Sequence, residues 1–243
     1  MLQYNKDLKN YYITIGGIDV LDNKDLEYVK EQLSFWDKLN DTDKHIIENT
    51  ISKITYKKGY NIHNAENECL GMLLILSGEL RVYILSDDGR EITLYRLTAG
   101  DTCVLSASCI LSNITFDVHI DAESDTELFL LNINAFSRIC SENVYAENFA
   151  LKNAVDRFSD VMWAMEQILF MSIDKRIAIF LLDEMAKTNS SEINLTHEQI
   201  SKYIGSAREE VSRMLKIFQA DGILELSRGA IHIINRDKLK ELV

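Results

Sequence analysis

Apolar residues change their spacing several times along the chain, and each change predicts a different element. Leu26, Val29, Leu33 and Trp36 recur at three- and four-residue intervals behind Asp22, a residue suited to capping a helix start. A second helix is predicted in NDTDKHIIENTI, with Asp41 or Thr42 as its cap. From Ile51 to Asn132 the helical period gives way to short β-branched and aromatic runs, with glycine corners at Gly59, Gly78 and Gly100. There Val82 to Leu85 and Ile92 to Leu97 flank Ser86-Asp87-Asp88-Gly89, a hairpin turn in which glycine supplies the positive φ. Many short strands between evenly placed turns predict a β-barrel or roll.

From about Val144 to Leu169 the helical period returns in a stricter form. Leu151, Val155, Phe158, Met162, Met165 and Leu169 alternate four- and three-residue steps, the a/d seam of a coiled coil over about three heptads. Such a seam is narrower than the stripe of a helix lying on its own domain. It therefore predicts a dimer helix of about 38 Å at 1.5 Å per residue, the alternative being a long helix packed on its own β-domain. Asp174 is the expected cap of a fresh helix, Lys175 to Lys187, which makes Met171 to Ile173 a candidate hinge.

The segment INLTHEQISKYIGSAREEVSRMLKIFQADGILELSRGAIHII carries the strongest signal. Thr196 with Gln199 forms a capping-box pattern ahead of a helix from His197 to Tyr203. Gly205 provides a tight turn, and a second helix is predicted from about Ala207 to Ala220 with Val211, Leu215 and Phe218 facing inward. Two helices about a short glycine-containing turn form a helix-turn-helix. Ile223 to Leu226 and Ile231 to Ile234 then alternate like strands around Arg228-Gly229, a small wing with a basic tip.

The exposed N-terminal face of the second helix holds Arg208, Glu209, Ser212 and Arg213, with 209 and 213 one turn apart. Arginine forks onto guanine O6 and N7 and glutamate accepts from cytosine N4, so this face suits reading a G·C pair. Thr196, Lys202, Lys216 and Arg228 are the candidate phosphate contacts, which position without specifying sequence. In isolation Arg208, Glu209 and Arg213 would be read as a solvated, salt-bridged helix face. The ordered succession of helix, turn, helix and basic-tipped wing favours the DNA reading.

Summed over the whole chain, charge opposes it. The chain of 243 residues carries a net −12, which argues against a polyanionic partner. From Met171 to Val243, however, there are 11 Lys+Arg and 11 Asp+Glu, so the first 170 residues carry the whole excess. The window Lys202 to Lys216 holds four positive and two negative residues. The absence of proline leaves long helices unbroken.

Cys69, Cys103, Cys109 and Cys140 show no CxxC or CxxH spacing, so reduced thiols are expected rather than disulfides or a zinc site. The polar N-terminus and the short MLLIL run predict neither signal peptide nor membrane span, hence a cytoplasmic location. There is no Walker loop, G-x-S-x-G, HExxH or GxGxxG, so no catalytic residues and no enzyme activity are expected.

Beyond Phe35 the chain resembles the Crp/Fnr family of bacterial transcription regulators, through SGELRVYILSDDGREITLYRLTAGD and IGSAREEVSRML. The resemblance implies an α+β chain with a double-stranded β-helix or jelly-roll sensor of the cyclic-nucleotide-binding type, a long dimerisation helix and a C-terminal winged helix-turn-helix. The corresponding division is an N-terminal extension, partly helical (1–34), a β-roll (35–142), the dimer helix (143–171) and the DNA-binding domain (172–243). It further implies a homodimer on near-palindromic double-stranded DNA, RNA polymerase as a possible partner, and an effector held in the roll.

The sensor departs from the cyclic-nucleotide branch. Leu105 stands where that branch has a ribose-holding glutamate, and Ile114-Thr115 or Thr115-Phe116 where it has an Arg-Ser pair for the phosphate. Between Arg96 and Arg138 there is no Lys or Arg at all. A buried cyclic phosphate needs a cation or many donors to offset its desolvation, so tight cyclic AMP or cyclic GMP binding is not expected. The oxygen-sensing branch places cysteines near its N-terminus, and none precedes Cys69 here, so an iron-sulfur cluster is not expected.

The candidate effector pocket comprises Cys103, Val104, Leu105, Ser106, Cys109, Phe116 and His119. Three effectors stay open: an apolar or neutral small molecule, a thiol switch at Cys103 and Cys109, or haem or nitric oxide sensed through His63 or His119. For the thiols the bland alternative is inert packing, and for the histidines a structural role. A ligand-binding or scaffold protein without specific DNA binding is the rival function class.

Overall fold

Asp22 and Asp25 cap one another's backbone at the start of helix α1 (Asn23–Gln32), with Asp25 N–H donating to Asp22 Oδ1 at 2.8 Å. The helix stops before Trp36, because the Trp36 N–H bonds Leu33 O at 2.7 Å and tightens the chain into a single 3₁₀ turn, Trp36–Lys38. Helix α2 (Asp41–Thr50) is capped by Asn40, one residue before the expected Asp41 or Thr42, through Asn40 Oδ1 and the Asp43 N–H at 2.8 Å. The computed structural model describes residues 21–64, 70–87, 89–104 and 118–243.

Among the described residues eight strands follow: β1 (Ile51–Tyr56), β2 (Asn61–His63), β3 (Gly71–Ser77), β4 (Glu79–Leu85), β5 (Glu91–Thr98), β6 (Thr102–Cys103), β7 (His119–Ala122) and β8 (Thr126–Asn132). They form two four-stranded sheets, ordered β1-β8-β3-β6 and β2-β7-β4-β5, the β-roll. Gly89, at φ +82°, occupies the β4–β5 turn as the Asp-Gly signal predicts. Met72, Leu74, Phe129 and Leu131 pack with Leu33, Phe35, Ile47 and Phe136 of the helical elements. The alternate residues Leu73, Ile75, Leu128 and Leu130 are also buried, so β3 and β8 are covered on both faces. That explains their unbroken apolar runs. Gly71 is obligatory here: at φ +129°, a Cβ would overlap the Leu131 carbonyl oxygen.

Helix α3 (Ile133–Glu142) ends at Asn143, whose side chain caps the next helix, α4 (Val144–Phe170), by accepting from the Tyr145 and Ala146 N–H groups. Ala146 and Ala150 turn one face of α4 into the α1–α3 core. The heptad stripe lies elsewhere on the helix. Leu151, Val155 and Phe158, in the same unit as most of the β-roll, are 46–63% exposed, and Met162, Met165 and Leu169 are 45–63% exposed.

Helix α5 (Ile173–Thr188) begins two residues earlier than expected, and its N-cap is Ser172 rather than Asp174. Asp174 instead lies in the first turn, where its carboxyl is held below the usual range by the Ser172 hydroxyl and nearby backbone N–H groups. There follow β9 (Glu192–Ile193), α6 (His197–Ile204), α7 (Arg208–Ala220), β10 (Leu224–Ser227), β11 (Ala230–Ile233) and α8 (Arg236–Lys240). The wing is a three-stranded sheet, β10-β11-β9. Its third strand is too short to show in the sequence.

Contacts divide the chain into two units: Met1–Ile84 with Tyr95–Ser159, and Leu85–Leu94 with Asp160–Val243. In the second, Ile177, Leu181, Ile200, Val211, Leu215, Phe218 and Leu224 form one buried core.

Candidate nucleic-acid interface

The helix-turn-helix is built from local capping outward. Thr196 Oγ1 accepts from the Gln199 N–H at 3.1 Å while Gln199 Oε1 accepts from the Thr196 N–H at 2.9 Å, which completes the capping box and fixes where α6 starts. The helix ends at Gly205, φ +63°, whose N–H reaches Ser201 O. This left-handed residue turns the chain into α7 within three residues. Ile200 and Ile204 of α6 and Val211, Leu215 and Phe218 of α7 are buried together, so the two helices hold a fixed angle and α7 presents its other face outward.

That outward face carries the predicted base readers. Arg208, Glu209 and Arg213 are exposed and Ser212 is half-buried. Arg208 begins α7 and lies 3.9 Å from Glu198 Oε2, a loose exposed pair that a phosphate or base edge can replace at little cost. Neither Glu209 nor Arg213 has an ion-pair partner among the described residues. Hydrogen-bonding groups are thus available without breaking a strong internal contact.

The four candidate phosphate residues divide. Lys216 on α7 and Arg228 at the wing turn are exposed. Lys202 instead places its ammonium 2.8 Å from Glu91 Oε1, and its carbonyl accepts from the Thr93 hydroxyl at 3.0 Å. The Thr196 hydroxyl donates to Gln199 Oε1 at 3.0 Å, so its proton is engaged in the cap.

Two further residues bear on the interface and were not singled out from sequence. His197, the first residue of α6, has its imidazole held below the ordinary histidine range, first by burial and then by Arg208 and Lys216. It therefore belongs to the same cationic patch. Arg176 of α5 is buried and donates to the Ile204 carbonyl at 2.8 Å, satisfying one of the last carbonyls of α6. A capping threonine before His197 was the available signal for the first. Nothing in the sequence pairs 176 with 204.

In the sensor, Cys103 and Val104 are fully buried, with Cys103 opposite Leu73 on the β3–β6 pair. His119 lies on the other sheet, opposite Tyr83, its ring stacked at 5.1 Å. Leu105, Ser106, Cys109 and Phe116 lie outside the described residues. Beside His119, Arg81 is buried, with Nη2 3.1 Å from Asp121, Nε 2.9 Å from Glu123 and its guanidinium 3.9 Å from the Tyr83 ring centroid. Among the described residues no cluster of three or more His, Cys, Asp or Glu side chains could hold a metal ion. No described helix is long and apolar enough to cross a membrane.

Comparison with known proteins agrees with this geometry. Residues 53–143 match the cyclic nucleotide-binding domain and residues 175–242 the Crp-like helix-turn-helix domain. Among curated proteins, the chain is 24% identical over 173 residues to the cAMP-activated global transcriptional regulator Vfr of Pseudomonas aeruginosa, covering 67% of this chain and 79% of that one. It is 25% identical over 199 residues to the fumarate and nitrate reduction regulatory protein of Vibrio cholerae, covering 76% of each. Among solved structures, a transcriptional regulator of the Crp/Fnr family from Eubacterium rectale is 44% identical, with a TM-score of 0.84 over 87% of this chain and 98% of that one. With the roll, the winged helix-turn-helix and this level of identity together, the chain belongs to the Crp/Fnr family of transcriptional regulators.

Proposed function

We propose that the protein is a cytoplasmic homodimer that binds a near-palindromic operator and is switched by an effector held in its β-roll, with RNA polymerase as its functional partner on DNA. The carrying observation is the exposed α7 face, Arg208, Glu209 and Arg213, presented by a buried two-helix core. In this reading Arg208, Glu209, Ser212 and Arg213 contact bases. Lys216, Arg228 and the α6 start at Thr196 contact phosphate, and Lys202 joins them when its pair with Glu91 opens. Two such α7 helices related by a two-fold axis fit half-sites about 34 Å apart.

The exposed stripe on α4 supports a second copy as the dimer partner. An effector other than cyclic AMP follows from chemistry: residues 97–137 contain no Lys or Arg, so a buried cyclic phosphate would find no cationic side chain in that segment. A neutral or apolar small molecule fits better. The burial of Cys103 favours a packing role over a thiol switch for that residue. Effector binding acts by rotating the winged helices about Met171 to Asp174.

Selection from random double-stranded DNA, followed by fluorescence anisotropy, tests the reading. Enrichment of a two-fold symmetric site whose binding survives competitor DNA and weakens steeply with salt is expected. Recovery of no symmetric site would overturn it, and micromolar cyclic AMP binding by calorimetry would overturn the effector assignment.

A further inference from the structure

The wing sheet places an imidazole between two carboxylates. β11 is its middle strand, and His232 stands directly opposite Glu192 on β9 and Glu225 on β10. Residues paired in this way share a face of the sheet. Ile231 and Ile233, on either side of His232, are buried, so the shared face is the one turned away from the core. Glu192 and Glu225 are exposed and His232 is half-buried. The ring Nδ1 lies 3.8 Å from Glu192 Oε2, an ion pair only when the imidazole is protonated.

The other ring nitrogen reaches the wing turn. His232 Nε2 is 3.3 Å from Ser227 Oγ, and the Ser227 hydroxyl donates to the Ala230 carbonyl oxygen at 3.2 Å. Ser227 and Ala230 are the paired residues that close the turn. Between them stand Arg228 and Gly229, the latter at φ +82°. A hydroxyl has one proton to give. While Ser227 gives it to Ala230, its oxygen accepts from His232 Nε2–H, and Nδ1 faces the Glu192 carboxylate without repulsion only if it too carries a proton. A neutral ring with its proton on Nδ1 instead accepts the Ser227 proton at Nε2, and the bond across the turn is lost. The protonated imidazole is thus the form that closes the turn. The charged groups flanking the ring are Glu192 from β9 and Glu225 from β10, both opposite in sign to an imidazolium, with Arg228 at the turn.

We propose that His232 is a positioning residue of the DNA interface: protonated, and held between Glu192 and Ser227, it closes the wing turn and aims Arg228 at a DNA phosphate. This rests on the DNA-binding reading above, in which Arg228 contacts phosphate, and adds the residues that set the wing tip and their dependence on a proton.

A double-mutant cycle on the full-length protein tests it, read by fluorescence anisotropy on the symmetric duplex recovered by selection. At about pH 5.5, where imidazoles are largely protonated, His232→Gln and Ser227→Ala should each weaken binding about three-fold, on all sequences alike, with little change in thermal unfolding. Arg228→Ala should weaken binding too, and adding His232→Gln to Arg228→Ala should bring almost no further loss. At about pH 8 the effect of His232→Gln should vanish, and the pH dependence that survives His197→Gln should be removed by His232→Gln. A wild-type protein without specific DNA affinity overturns the DNA reading and this proposal with it. A wild type that binds while the His232 and Arg228 losses multiply independently overturns the positioning role alone, since the imidazole would then act by its own charge. A His232→Gln loss of equal size at both pH values overturns the part given to the proton.

Discussion

The guanidinium of Arg176 donates to the carbonyl oxygen of Ile204 across 2.8 Å, joining the helix that opens the DNA-binding domain to the residue preceding the recognition turn. Ile204 is followed by Gly205 in the left-handed conformation, so this bond holds the point at which the chain turns from α6 into α7. A charge-assisted bond in a buried setting is stronger than a neutral one. Replacing Arg176 by Met leaves the carbonyl without this donor and should cost about 2 kcal/mol. Thermal unfolding reads the loss directly. DNA affinity should fall further than the stability change alone accounts for, because the turn loosens.

Gly205→Ala should act at the same point by another route. The left-handed conformation costs a residue with a Cβ about 1–2 kcal/mol, and the new methyl would stand 3.0 Å from Ile168 Cδ1. That atom ends a flexible side chain and can move, so the expected destabilisation stays near the backbone cost. Gly205→Asn should be milder, since asparagine visits this region more readily. Chemical denaturation of the two variants checks the order.

Base and phosphate contacts separate in specificity profiles. Glu209→Ala should relax preference at one base pair of each half-site by about 1–3 kcal/mol while leaving the salt dependence unchanged. Lys216→Ala should weaken all sequences alike and lower the salt slope by about one. Lys202→Ala should change the slope less than Lys216→Ala, because its ammonium is already engaged by Glu91. Equal loss on every sequence for Glu209→Ala would remove it from the base readers.

His197 is predicted to link DNA binding to protons. Burial, Arg208 and Lys216 hold its imidazole below the ordinary 6.5, so between that depressed value and 6.5 the unfolded chain binds more protons than the folded one. Stability therefore rises with pH through this window and is lost as pH falls through it. A DNA phosphate placed against the patch favours the charged imidazole. DNA affinity should accordingly strengthen as pH falls below about 6.5, and His197→Gln should flatten that dependence in anisotropy titrations across pH.

Cys140 is predicted to be chemically silent. Burial, with a smaller contribution from Glu147, pushes its thiol up from 9.0 to about 12. The folded state then keeps a proton that the unfolded state releases, so stability declines as pH rises from about 9 toward 12. At neutral pH, alkylation of Cys140 by iodoacetamide should proceed only as fast as the protein unfolds. Mass spectrometry of the labelled peptide checks it.

The long helix α4, the capping box at Thr196 and the turn at Gly205 were all legible in the sequence, because each depends on neighbours within one or two helical turns. Heptad spacing, an Asp-Gly turn and a Thr-x-x-Gln pattern are local chemistry, and the backbone obeys them where tertiary contacts agree. The exposed face of α7 was legible for the same reason: the apolar positions of α7 fix which side is buried and so which remains outside.

Tertiary structure decided what depends on residues far apart in the chain. It added β9 to the wing, engaged Lys202 with Glu91, and set His197 in the field of Arg208 and Lys216. It also left the α4 stripe uncovered within the single chain, where heptad spacing alone allowed two kinds of packing. Periodicity and capping act over a few residues and are written in order along the sequence. Burial, ion pairing and the shift of a side chain's proton affinity are set by whichever residues folding brings alongside.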